Sequence, residues 1–132
     1  MRSFIPGINH LEFWVSSLEK SLIFYESLFP VIGWKRLSKT CFGTGHTQIY
    51  FREKPVKKSD SVGPRHIGFQ ATTKEVVDQV AQAARTNGLK VVRGPEIMLD
   101  NGEYSEGYYA IFLRDPDGYK IEVAYTPHMI LG

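Results

Sequence analysis

The chain has 132 residues, 42% of them hydrophobic and 23% charged, the composition of one globular domain and too little chain for two independent ones. Disorder, collagen-like repeats and a coiled coil are excluded. Sixteen Lys and Arg against fourteen Asp and Glu leave a formal charge of +2, far below what would neutralise a nucleic-acid backbone, so no nucleic-acid partner is expected. Glu19, Lys20, Glu26, Lys35 and Arg36 interrupt the most apolar region, and no run approaches the roughly 18 residues of a membrane span. The single cysteine, Cys41, has no intrachain partner, and residues 1–6 run into Asn9, His10 and Glu12 before an apolar signal core develops. A cytoplasmic location is expected.

Ile8-Asn9-His10-Leu11-Glu12-Phe13 alternates as a strand. Ser17 and Glu19 then supply a capping hydroxyl and an acid for a helix whose apolar positions are Leu18, Leu22, Tyr25 and Leu28-Phe29, ended by Pro30 and Gly33. Trp34-Lys35-Arg36-Leu37 and Gln48-Ile49-Tyr50-Phe51 follow as strands on either side of Gly43-Thr44-Gly45. Arg52 to Lys58 concentrates the positive charge of the first 60 residues, +4 against −2 for the rest, and with Ser59-Asp60-Ser61 reads as a solvated connector.

The second half repeats the first. Pro64-Arg65-His66-Ile67-Gly68-Phe69 superposes on Ile8 to Phe13 at an offset of 56 residues, and the same offset carries Ser17 onto Thr73 and Glu19 onto Glu75. Val76-Val77, Val80 and Ala83-Ala84 mark a second helix ending at Asn87-Gly88. Lys90-Val91-Val92, Tyr108 to Leu113 and Tyr119 to Tyr125 are predicted strands, the last two joined by Asp115-Pro116-Asp117-Gly118. The segment from Gly94 to Gly107 is the least regular, a lid or a long surface loop. The reading is α+β: one domain of two βαβββ modules, residues 6–54 and 63–126, joined by a linker at 55–62 and pairing into a curved half-barrel sheet with helices outside.

Period-two alternation puts Ile8, His10, Glu12 and Trp14 on one face of the first strand, His66, Gly68 and Gln70 on one face of its counterpart, and Lys120, Glu122 and Ala124 on one face of the last strand. His10, His66 and Glu122 stand 56 residues apart in succession. Two imidazoles and a carboxylate form a ligand set for a divalent metal that leaves positions open for water or substrate; such a set suits Fe(II), and related sets hold catalytic zinc. A carboxylate in an otherwise apolar strand is costly unless paired, protonated or metal-bound. Taken singly, each histidine could equally be a hydrogen-bonded strand residue.

Asn9-His10-Leu11, Ser21 to Tyr25, Arg65 to Phe69, and above all Phe112-Leu113-Arg114-Asp115-Pro116-Asp117-Gly118-Tyr119-Lys120-Ile121-Glu122 resemble the vicinal oxygen chelate superfamily. This superfamily takes in glyoxalase I, bleomycin-resistance proteins, fosfomycin-modifying enzymes, methylmalonyl-CoA epimerase and extradiol dioxygenases. The resemblance runs from about Ile8 to Tyr125. It implies one divalent metal ion (Fe, Mn, Zn, Ni or Co) on His10, His66 and Glu122, a small oxygen-rich substrate chelated through adjacent oxygens, and a homodimer, sometimes with one metal drawing ligands from two chains.

The chain also departs from family patterns. Tyr50 falls where glyoxalase I has a fourth ligand. Glu12 stands where fosfomycin transferases typically carry a small hydroxyl residue and Phe112 where they carry a tyrosine, while Ser105-Glu106-Gly107 resembles their cation-binding loop but sits one residue further from the Asp115-Pro116-Asp117-Gly118 turn; these enzymes are set aside. Glu12 is a candidate general base, with pairing to a rim Arg or Lys as the simpler reading. Trp14, Tyr50, Gln70, Tyr108 and Phe112 are candidate substrate-binding walls. His46 and His128 are expected to be solvated. Isomerase, lyase and dioxygenase chemistry all remain open, and the alternative is a metal-free protein that sequesters a small molecule such as an antibiotic, as bleomycin-resistance proteins do.

Overall fold

A computed structural model describes residues 6–62, 65–99 and 104–129. Each helix starts where a hydroxyl can satisfy free backbone amides. Ser17 Oγ accepts from the Lys20 amide at 3.2 Å to open α1 (Leu18–Leu28), and Thr73 Oγ1 accepts from the Val76 amide at 3.3 Å to open α3 (Lys74–Asn87). Pro30 begins a 3-10 turn, Phe29–Ile32, and α3 stops at Gly88, whose φ of 67° lies in the left-handed region.

The strands form two four-stranded mixed sheets. In the first, β1 (His10–Val15), β2 (Lys35–Ser38), β3 (Cys41–Gly43) and β4 (Gln48–Glu53) lie in the order β1-β4-β3-β2. In the second, β5 (Ile67–Gln70), β6 (Lys90–Ile97), β7 (Tyr109–Arg114) and β8 (Lys120–Tyr125) lie in the order β5-β8-β7-β6. β1 runs parallel to β4 and β5 parallel to β8, so both sheets follow the same βαβββ plan. The predicted α+β class and paired modules are therefore observed. The sheets do not close into a barrel.

Both sheets turn their apolar faces to the helices and share one core, in which Val15, Ile49 and Phe51 of the first half meet Phe69, Ile121 and Val123 of the second. The predicted alternation in β1 holds, with His10, Glu12 and Trp14 exposed and Val15 buried. Phe29 reaches across to Phe69 with ring centroids 5.4 Å apart. The Asp-Pro-Asp-Gly turn of the second half docks on the first: Tyr25 OH donates to Asp115 Oδ2 at 2.7 Å, the Ser16 amide donates to Asp117 Oδ2 at 2.9 Å, and Tyr119 OH donates to the Trp14 carbonyl at 3.1 Å. Asp115 Oδ1 also accepts from the amides of Asp117 and Tyr119.

Three features depart from the sequence reading. β3 lies in part where Gly43 was read as a turn, because a three-residue strand is too short to display alternation. A single helical turn, α2 (Lys58–Ser61), stands in the connector, with Asp60 accepting from the Lys57 amide and Ser61 buried. β6 continues through Gly94 and Pro95 to Ile97 by way of register shifts against β7. Gly94 makes this possible: its φ is 88°, and a side chain there would collide with the Ala110 carbonyl.

Burial lifts the Asp115 carboxyl to about 6 despite its three donors, and the buried Tyr25 phenol is raised well above its usual range. A carboxyl that resists ionisation in the folded state costs nothing below the unfolded pKa. Its cost grows as pH rises toward the folded value and is complete above it. Between about pH 4 and pH 6.5 the wild type should therefore lose about 3 kcal/mol of stability relative to Asp115→Asn, measured by urea unfolding at a series of pH values. Tyr25→Phe should cost about 1–3 kcal/mol at neutral pH in the same assay, since it strips a donor from a buried acid.

Candidate metal site and its surroundings

The two faces that carry the predicted ligands point away from the shared core. On the second sheet, the parallel register of β5 and β8 sets Gly68 opposite Glu122. Glu122 is only 3% exposed, and both of its oxygens are engaged: Oε1 lies 2.8 Å from His66 Nε2, and Oε2 accepts from Tyr108 OH at 2.5 Å. Gly68 keeps the space beside the carboxylate open, since a Cβ there would lie 3.8 Å from Oε1. Burial, and then the bond to Glu122, raise the Tyr108 phenol above its ordinary range, so it donates its proton at neutral pH.

Phe112 closes one side of this site, its ring 6.1 Å from that of His66 and 4.9 Å below the Lys120 ammonium. Met98, Tyr104 and Tyr108 flank the same face. Met98 is buried with Ala110, Phe112 and Ala124, and Tyr104 and Tyr108 pack against them. The segment read as lid or loop is thus strand as far as Ile97, and the Met98 amide extends the pairing by donating to the Tyr108 carbonyl at 2.8 Å; residues 100–103 lie outside the described residues. Gln70 is tied down, donating to the Ala71 carbonyl at 2.8 Å and accepting from Thr126 Oγ1 at 2.7 Å.

His10 stands on the other sheet. Its Nδ1 is 2.8 Å from Asn9 Oδ1, and its ring meets that of Tyr50 edge-on at 5.8 Å. Tyr50 OH donates to Gln48 Oε1 at 2.5 Å. Glu12 accepts from the Trp14 indole at 2.9 Å and pairs with Arg52 at 3.4 Å; the indole and then the guanidinium lower its carboxyl, holding it ionised. Trp14 is 50% exposed. A cleft of about 450 Å³ joins the two faces, lined by Glu12 and Trp14 on one side and by Arg65, His66 and Lys120 on the other.

The structure therefore brings His66 and Glu122 together and leaves His10 apart. Among the described residues, no three His, Cys, Asp or Glu side chains gather as a metal set within the chain. The donors present still fit a divalent ion, because an imidazole nitrogen and a buried carboxylate oxygen already converge beside the space that Gly68 leaves. Two features escaped the sequence reading: the hydrogen bond from Tyr108, a candidate wall, to Glu122, and Gly68 beside that carboxylate. The shared face of Gly68 and His66 was the available signal for the second. His128, expected to be solvated, is exposed yet lies 2.6 Å from Ser105 Oγ. Cys41 is buried. No helix among the described residues is long and apolar enough to cross a membrane.

A family model described as the Glyoxalase/Bleomycin resistance protein/Dioxygenase superfamily matches residues 7–123. The uncharacterized protein YqjT of Bacillus subtilis is 28% identical over 126 residues, covering 88% of this chain and 96% of that protein. A metallothiol transferase FosB of Lysinibacillus sphaericus is 33% identical over 133 residues, covering 89% and 81%. Among solved structures, a glyoxalase/bleomycin resistance protein from Albidiferax ferrireducens superposes with a TM-score of 0.69 at 24% identity, covering 91% of this chain and 98% of that one, a likeness of fold.

Removing the phenol leaves one Glu122 oxygen unsatisfied in a nearly dry site. A double-mutant cycle of Tyr108→Phe and Glu122→Gln should give a coupling of about 1–3 kcal/mol in denaturant unfolding of the metal-free protein.

Proposed function

Since the chain belongs to the Glyoxalase/Bleomycin resistance protein/Dioxygenase superfamily, we propose that it is a divalent-metal-dependent enzyme acting on a small oxygen-rich substrate, with His66, Glu122 and His10 as the metal ligands. The observation that carries this reading is the buried Glu122 carboxylate turned toward His66 Nε2 beside the space left by Gly68. A bound divalent ion would supply Lewis-acid polarisation of substrate oxygens.

The chain's own residues supply the rest. Tyr108 fixes the rotamer of Glu122 through its second oxygen, and Phe112 with Met98 limits water on that side. Lys120, poised over Phe112, and Arg65 in the cleft attract an electron-rich substrate, while the exposed indole of Trp14 offers it a flat apolar surface. Glu12 stands on the same face as His10, and its bonds to Trp14 and Arg52 suit a carboxylate that positions substrate better than one that accepts a proton. The reaction belongs to the isomerase, lyase or dioxygenase types, with thiol transfer added by the FosB relative.

His10 reaches the other two ligands, in this reading, from a second copy of the chain, so the enzyme is a homodimer with two sites. The separation of His10 from the His66–Glu122 pair supports it. Mixing His10→Ala with Glu122→Ala chains, each inactive alone, should then restore about a quarter of the wild-type sites, because each mixed dimer keeps one intact set. No restoration would place all three ligands on one chain.

Elemental analysis of protein purified without chelator or histidine tag should find about one Fe, Mn, Ni, Co or Zn per chain, lost in a His66→Ala, Glu122→Ala double variant. A second reading, a metal-free protein that sequesters a small molecule, is favoured by one observation: His66, Glu122 and Tyr108 satisfy one another without an ion. Failure to take up any of these metals would overturn the enzyme reading and leave the second to be tested by ligand-binding screens.

A further inference from the structure

A groove of about 860 Å³ lies away from the candidate metal site, where α1, the connector, the end of α3 and the Asp-Pro-Asp-Gly turn meet. Its size falls within the range of small-molecule sites. Four cations line it, Lys20, Lys58, Lys90 and Arg114, and none of them pairs with a carboxylate among the described residues. Two acids share the groove: Asp115 is buried and bonded to Tyr25, and Asp117 accepts from the Ser16 amide while keeping its charge, so four cations face two carboxyl groups; Arg114 also donates to the Gly118 carbonyl at 2.9 Å. Apolar side chains line it as well, Val62 at 41% and Ile23 at 59% exposure together with Leu89, while Phe24 is buried beneath.

Unpaired cations repel one another, and such a cluster over apolar surface is stabilised by a ligand that brings opposite charge and an apolar body together. A compact inorganic anion would satisfy only the cations, and a neutral apolar molecule only the apolar side chains. We propose that this groove is a second binding site, for an organic anion of the nucleoside polyphosphate class, with phosphates at Lys58, Lys90, Lys20 and Arg114 and the ring system over Val62 and Leu89. The proposal does not rest on the metal reading. Because the groove is built from both halves and the connector, the ligand would also tie the halves together.

The test is equilibrium dialysis and calorimetry with ATP, inorganic tripolyphosphate and adenosine, at about 0.1 M salt without divalent metal. Saturable ATP binding is expected, about fivefold or more tighter than tripolyphosphate, with adenosine not binding. Lys58→Gln with Lys90→Gln should weaken ATP by about fivefold or more, whereas Lys35→Gln with Lys39→Gln, exposed on and beside β2, should change it less than about twofold. The His66→Ala, Glu122→Ala variant should bind ATP as the wild type does. No saturable ATP binding would overturn the proposal. So would equal affinity for tripolyphosphate, an equal loss in the Lys35 and Lys39 control, or loss in the His66 and Glu122 variant, which would put the nucleotide on the other face. Circular dichroism of each variant confirms that binding, not folding, is compared.

Discussion

The bond from Tyr25 to Asp115 is the constraint on which the arrangement of the two halves depends. It joins residues 90 positions apart, a phenol on α1 of the first half and an acid in the turn before β8 of the second, inside a core that has excluded water. The same carboxylate accepts two amides of its own turn. One side chain thereby shapes the turn and anchors it to the other half. The strand that carries Glu122 starts a few residues beyond, so the position of the candidate ligand is inherited from a contact on the far side of the sheet.

Much of this was legible in the sequence, for identifiable reasons. The 56-residue offset, the hydroxyl caps at Ser17 and Thr73 and the period-two faces of β1 are local signals, and each is observed; β8 is buried on both faces, Ile121 and Val123 joining the shared core and Ala124 the smaller cluster on the other side. β3 and α2 were not legible, because three or four residues carry no period. The course of β6 past Gly94-Pro95 depends on its pairing with β7, which no local pattern encodes. At the candidate site, alternation placed His66 and Glu122 on compatible faces, and they adjoin. That His10 stands apart depends on how the two sheets are set against each other, a property of packing rather than of strand pattern.

The repeat also shows how two copies of one plan diverge in chemistry. In the first half the register sets Glu12 on β1 opposite Tyr50 on β4; in the second it sets Gly68 on β5 opposite Glu122 on β8. The acid has changed strands, and its old position is filled by glycine. On the first sheet the acid is exposed and held by an indole and a guanidinium, while on the second it is buried and held by an imidazole and a phenol. An exposed pair of this kind contributes little to stability, whereas a buried carboxylate with two partners is set in one geometry. The second half thus offers a rigid donor site and the first a softer, adaptable wall.

The register of β8 carries a consequence for how such a chain tolerates change. Side chains alternate strictly along the strand, so one residue added to or deleted from the turn between Asp115 and Tyr119 would rotate Ile121 and Val123 out of the core and drive Glu122 into it. Asp115 and Tyr25 would at the same time lose their alignment. Met98 shares in that parity, since its amide donates to the Tyr108 carbonyl at 2.8 Å and carries the pairing of β6 with β7 one step past Ile97. Length variation should therefore be purged from the turn between Asp115 and Tyr119, which keeps the donor geometry fixed.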